Sequence, residues 1–130
     1  MFTLQQIQEA HAKTRTGADF PQYVQDLKAL GVNSYEHYVS DGRIQYFGAD
    51  GFNISGNAKW TEKQIAAPAS PAKLEHDLKI HQLGKTDYAT FCQQSADAGV
   101  EKWVVDIAGM NCTYYDAEGN KMLTEAIFKP

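Results

Sequence analysis

The residues of this chain that could do chemistry are two cysteines, four histidines and one carboxylate set inside an apolar run. Cys92 and Cys112 offer either nucleophilic or redox thiols or two small buried hydrophobes. They are too few for a disulfide framework and too far apart for a CxxC metal site, and in a reducing compartment both are expected as free thiols. His76 and His81 stand five apart, whereas ligands on one helical face stand three or four apart. No HExxH pattern occurs. His11 and His81 lie on the apolar stripes of two helices. They could share a metal or an anion, or each could fill a packing position and hydrogen-bond locally. Asp106 interrupts an apolar strand at 103–107, where Asp is disfavoured. A carboxylate there must be solvated, hydrogen-bonded or paired. It could serve as a general base or ligand anchor, or pair with Thr113, Lys102 or Lys121. Asp19 and Asp87 precede helices and are expected as N-caps.

The elements that must position these groups occur twice. At an offset of 68 residues, Asp19 matches Asp87, Gln25 matches Gln93, and Gly31-Val32 matches Gly99-Val100. Tyr46, Ala49 and Gly51 match Tyr114, Ala117 and Gly119, and aromatic pairs such as Tyr35 with Trp103 fill the gaps. Upstream the offset is 70, and Leu4 and His11 match Leu74 and His81. Such self-similarity is the mark of an internal duplication. Neither half is long enough to bury a stable core alone.

Thr3 followed by Gln6 is a capping box opening a helix with Leu4, Ile7 and His11 on one face. Ser70-Pro71 opens its counterpart, with Leu74, Leu78 and His81 on the stripe. Phe20, Tyr23, Val24, Leu27 and Leu30 mark a second amphipathic helix ending at Gly31. Tyr88, Phe91, Cys92 and Ser95 mark its mate, ending at Gly99. The period then changes to two. Residues 35–47 read as a hairpin turning at Asp41-Gly42, and 103–115 as one turning at Gly109-Met110. Further strands are expected near 52–54 and 122–128. The expected architecture is α+β: a tandem repeat of helix–helix–hairpin–strand forming an antiparallel sheet, helices packed on one face, with pseudo-twofold character. It is a single domain over 1–130, with repeats at about 1–56 and 70–130 and a connector at about 57–69.

Two-residue turns would pair Val39 with Ile44, His37 with Tyr46, Ile107 with Cys112 and Val105 with Tyr114. One face then carries Tyr35, Val39, Ile44, Trp103, Val105, Ile107 and Cys112, and should meet the helices. Cys92 takes the slot of Val24 and Cys112 that of Ile44, which favours the structural reading of both. His37 aligns with Val105 at the edge of the core. Tyr38, Phe47 and Tyr115 fall on the opposite face with Glu36 and Asp106. If that face is open, Tyr38, Phe47, Asp106 and Tyr115 are the expected ligand contacts. If the connector folds over it, they form a second small core.

Composition removes several function classes. The net charge is −4, and Arg15 and Arg43 are the two arginines, so no arginine cluster exists to read phosphates and nucleic acid is not an expected partner. No apolar run approaches the roughly 18 residues that span a bilayer, and the first residues lack the pattern of a secretory signal. The expectation is a cytoplasmic protein without membrane association. No Gly-rich phosphate loop or nucleophile elbow is present; no cofactor and no metal is expected.

Two stretches carry a family resemblance. One is His81-Gln82-x-Gly84-x-Thr86-Asp87-Tyr88-Ala89-Thr90-Phe91-Cys92. The other runs from Ala98-Gly99-Val100-Glu101-Lys102-Trp103 through Val104-Val105-Asp106 to Cys112-Thr113-Tyr114-Tyr115-Asp116. In these the chain resembles the domain of unknown function 1398 family, whose YbcV/YdfO-like members are sometimes labelled phage envelope proteins. The resemblance implies a small bacterial or prophage-borne protein of unestablished activity and assigns no catalytic residue. Members end in a Glu-Ile-Pro-like tail; here the tail continues to Lys129-Pro130, and different packing is expected.

Three functions follow as expectations. The first is a non-enzymatic module that binds a small molecule or a protein partner. The second is an enzyme using Asp106 as general base with His81 or Cys112 nearby. The third is a phage-encoded regulator whose acidic surface docks on a host protein. Unpaired edge strands would also permit a homodimer.

Overall fold

The computed structural model describes residues 2–128; of the tail, Lys129 and Pro130 lie outside the described residues. Helix α1 (Leu4–His11) starts where the sequence places it. The Thr3 hydroxyl accepts from the Gln6 N–H at 3.2 Å and the Gln6 side chain accepts from the Thr3 N–H at 2.9 Å, satisfying two of the free donors of the first turn. Helix α2 (Phe20–Leu30) ends on Gly31. Helix α3 (Pro71–Gln82) is capped by Ser70, whose hydroxyl accepts from the Lys73 N–H. Helix α4 (Tyr88–Asp97) is capped by Asp87, which accepts from the Thr90 N–H at 2.8 Å. Asp19 behaves otherwise. Its carboxylate turns back to accept from the N–H groups of Arg15 and Thr16 and gives α2 no side-chain cap. The cause is local: a single 3₁₀ turn, Gly17–Asp19, precedes α2 and leaves Asp19 helical rather than extended.

Six strands form one antiparallel sheet: β1 (Ser34–Tyr38), β2 (Ile44–Phe47), β3 (Asn53–Ser55), β4 (Lys102–Asp106), β5 (Asn111–Tyr115) and β6 (Lys121–Ala126). Their order is β3-β2-β1-β4-β5-β6, so β1 and β4 pair at the centre. The hairpin register differs from the two-residue turns expected. His37 pairs with Ile44 and Tyr35 with Tyr46; Val105 pairs with Cys112 and Trp103 with Tyr114. Both hairpins are thus shifted by two positions and carry longer loops. Carboxylates hold those loops: Asp41 Oδ1 accepts from the Arg43 N–H and Asp106 Oδ1 from the Gly109 N–H. A shift of two preserves side-chain faces where a shift of one inverts them. Tyr35, Val39, Ile44, Trp103, Val105, Ile107 and Cys112 are therefore all buried, as the alternation requires.

These residues share one core with Ile7 of α1, Val24 and Leu27 of α2, Leu74 and Leu78 of α3, and Phe91 and Cys92 of α4. The connector does not cover the opposite sheet face. Trp60 Nε1 donates to the carbonyls of Val39 and Ser40, Ala66 N–H to Ala96, and Ser70 N–H to Ala98. Gly99 allows that last approach. It holds φ at +90°, and a Cβ there would come within 2.6 Å of Ala69 Cα. Among the described residues no helix is long and apolar enough to cross a membrane.

Candidate functional site

A cavity of about 330 Å³ lies between the helices and the buried sheet face. Each wall follows from a sequence pattern. The alternation of β1 turns Tyr35 and His37 inward, and that of β4 and β5 does the same for Trp103, Cys112 and Tyr114. The apolar stripe of α2 supplies Tyr23, and the first turns of α4 supply Tyr88 and Phe91. His11 and His81 enter from the last turns of α1 and α3. The loop 14–18 and the end of β6 frame the mouth, where the Gln82 side chain donates to Glu125 Oε2 at 2.7 Å. Gly17 lets that loop close on α3, for a Cβ there would sit 2.2 Å from the His81 carbonyl oxygen.

The lining is built of rings. His37 stacks on Trp103 with centroids 3.9 Å apart and planes 15° from parallel, and His81 stacks on Phe91 at 4.4 Å and 8°. His11 meets Tyr23 and Tyr88 edge-on, at 5.4 and 5.1 Å. Burial pushes all three histidines below their ordinary pKa, His37 the furthest; the Lys59 charge adds to the effect on His37 and His11. They are neutral rings near neutral pH. Tyr88 connects the site to the surface: its hydroxyl bonds His37 Nε2 and lies 3.3 Å from Lys59 Nζ.

Four buried side-chain atoms have no hydrogen-bond partner among the described residues: the Tyr23 hydroxyl, His37 Nδ1, Gln94 Oε1 and Ser95 Oγ. The Tyr46 side chain lies close enough to the Tyr23 hydroxyl to interact with it, but outside normal hydrogen-bond geometry. An unsatisfied buried donor or acceptor costs about 1–3 kcal/mol; two of the four belong to rings of the cavity wall, and all four are shielded from open space.

The sequence-based site residues are distributed differently. Tyr38, Phe47, Asp106 and Tyr115 sit on the sheet face away from the cavity, in two separate rows. Tyr38, Lys102 and Tyr115 are register partners across one row. Lys102 Nζ binds Glu36 at 2.9 Å and lies 5.8 and 5.7 Å from the two tyrosine rings. Phe47 and Asp106 flank Ser34 in the other row, four residues along β1, or about 13 Å at the rise of a strand. Asp106 is exposed and holds the Gly109 turn. It pairs with neither Thr113, which meets Thr124, nor Lys102. His81 and Cys112 line the cavity while Asp106 does not, so the acid–base grouping of Asp106 with His81 or Cys112 is not assembled. Burial pushes both the Cys112 and Cys92 thiols up to about 12, which makes them packing residues rather than nucleophiles. His11 and His81 do share the cavity, although no group of three or more metal-ligating side chains occurs among the described residues. His37 is fully buried in the core, not at its edge.

Sequence reasoning passed over Tyr23, Tyr88 and His37 because aromatics in matching slots read as core. A signal was available. Tyr23, Tyr35, Tyr46 and Tyr114 are buried tyrosines and Tyr88 a half-buried one, at positions where phenylalanine would fill a plain core without needing partners.

Comparison with known proteins gives a consistent picture. A family model described as "Protein of unknown function (DUF1398)" matches residues 8–126. The uncharacterized protein YcgX of Escherichia coli (strain K12) is 22% identical over 120 residues, covering 92% of this chain and 90% of that protein.

Proposed function

This chain belongs to the DUF1398 family of proteins of unknown function, and on that premise we propose that it is a small-molecule-binding module whose ligand occupies the helix–sheet cavity. The observation that carries this reading is the 330 Å³ cavity itself, walled by aromatic rings and by the imidazoles of His11, His37 and His81. A concave, mostly apolar space with a few polar groups is the usual form of a small-molecule site. The unreactive thiols and the displaced Asp106 favour binding over covalent or acid–base chemistry. We further infer that the cavity is the seam of a duplicated chain with pseudo-twofold character. Support comes from the mirrored strand order about β1 and β4, and from His11 and His81, one from each half, at the same cavity.

A second reading places a protein partner on the outer sheet face. It rests on Lys102 held between Tyr38 and Tyr115, with the Arg43 guanidinium 4.5 Å over the Tyr38 ring. Phe47 and Asp106, one row away, would join only a partner large enough to span both rows.

Protein-observed NMR with a fragment mixture separates the two. Binding in the cavity shifts amide signals at Tyr23, His37, Tyr88 and Trp103 and leaves Tyr38, Lys102 and Tyr115 in place. Shifts confined to the outer face would overturn the cavity reading.

A further inference from the structure

Resting on that cavity reading, we propose that the ligand is an organic monocation, an ammonium group on an apolar ring-bearing body, with the ammonium at Glu125 and the body among the aromatic walls. Glu125 stands where a core residue is expected. It pairs with Cys112 in the β5–β6 register, and directly opposed residues share one face of a sheet. Cys112 is buried against the helices, so the Glu125 side chain leaves its strand on that same inward face, where it lines the cavity. Its negative charge adds to burial in raising the pKa of both Cys112 and Tyr114. A carboxylate in such a place needs a partner. The partner that the described residues supply is neutral: Gln82 Nε2 donates to Glu125 Oε2 at 2.7 Å. None of the ion pairs among the described residues includes Glu125. Glu125 Oε1 has no hydrogen bond, yet it is not one of the four shielded atoms. It is therefore open to a molecule entering the cavity.

The walls select the sign of the charge. Trp103 lies between Tyr114 and Phe91, with ring centroids 5.8 and 5.6 Å away. Ring faces carry negative potential and attract an ammonium, and Glu125 gives that charge its counter-ion. The three imidazoles of the wall are neutral and add no positive charge. Arg15, the other lining side chain with formal charge, is exposed at the mouth, where solvent and salt screen it. An anion would meet the ring faces and Glu125 together, and a neutral molecule would leave Glu125 without a cation. The 330 Å³ space is at the small end of ligand pockets, which limits the body to one or two rings. Glu125 also stands on an edge strand, where an inward charge can serve simply to block pairing with another chain. The two roles differ in what they predict for binding.

The test compares three indoles that differ at the end of one short side chain: tryptamine, tryptophol and indole-3-acetate. Each is titrated into the full chain and followed by amide shifts. We expect tryptamine, the ammonium, to bind about tenfold tighter than the neutral alcohol, the lower end of what a hydrogen bond to a charged group is worth. Indole-3-acetate should be weakest, and the signals of Glu125, Trp103 and Tyr114 should move with tryptamine. Glu125→Gln keeps an acceptor for Gln82. It should cost tryptamine about tenfold and leave tryptophol unchanged, which also reports that the cavity has kept its shape. Equal binding of tryptamine and tryptophol at the cavity marks Glu125 as an edge charge only and overturns the ligand class. So does a tryptamine preference that survives Glu125→Gln, or a preference for indole-3-acetate; each of these leaves the cavity reading standing. No shift of any cavity residue with any probe overturns both.

Discussion

His37 is the most deeply buried imidazole of the cavity wall. It is 1% exposed, stacked on Trp103 and tied to the surface through Tyr88 and Lys59. With His11 and His81 it is neutral in the folded chain because burial disfavours the imidazolium. In the unfolded chain each returns to its ordinary value of 6.5. Below that pH the unfolded state binds more protons than the native state, so stability falls as pH falls. The urea midpoint should be level from pH 8 to 7 and decline from about 6.5 to 5. A level midpoint down to pH 5 would mean that the histidines are not held neutral. Asp19, Asp87 and Asp116, kept low by hydrogen bonds from backbone and side-chain groups, act in the same direction but only as pH approaches their ordinary value of 3.8. The cysteines give a second check. With both thiols buried and raised to about 12, native protein should release no thionitrobenzoate from Ellman's reagent within minutes, and urea-unfolded protein should release two equivalents.

The turns between elements decide where the side chains finish. The loop 12–19 reaches α3 through Gly17, and Gly17→Ala would place a methyl 2.2 Å from one backbone oxygen and 2.5 Å from the His81 ring. We expect a loss of about 1–3 kcal/mol, the cost of overpacking, with a shifted His81 imidazole resonance. An unchanged melting temperature would show that the loop is free to retreat. Asp87 and Asp106 provide a contrast. Asp87→Ala removes the N-cap of α4 and should cost about 1 kcal/mol. Asp106→Asn keeps an acceptor for Gly109. It should remain within about 0.5 kcal/mol of the parent, with unchanged probe binding at the cavity. A large loss of probe affinity would restore Asp106 as a site residue.

As a whole the molecule has one core drawn from both halves. Ile7, Val24 and Leu27 pack in the same cluster as Leu74, Leu78 and Phe91, and the central pair β1–β4 joins the halves edge to edge. Removing either half would expose one side of that cluster and leave a central strand edge unpaired. Urea unfolding should therefore be one transition, with coincident midpoints by Trp fluorescence and far-ultraviolet circular dichroism. Separate midpoints would show that the halves fold independently.

The sequence alone determined the local structure. Capping pairs such as Thr3 with Gln6 and Ser70 with Pro71 set the helix starts, and period-two alternation chose which side chains face the core. Those signals act over a few residues, so they survive without knowledge of the fold. Alternation also concealed the hairpin register, because a shift of two leaves every face unchanged. The site was decided by tertiary structure. Asp106 looked like a ligand contact or general base inside an apolar strand, yet its strand ends there and its carboxylate closes a turn. His37, Tyr23 and Tyr88 looked like ordinary core, yet β1, α2 and α4 converge around a space that their rings do not fill. Whether a buried ring finds a hydrogen-bond partner depends on residues distant in sequence, such as Lys59 for Tyr88 and Tyr88 for His37. No local pattern records that geometry, since the packing of several elements creates it.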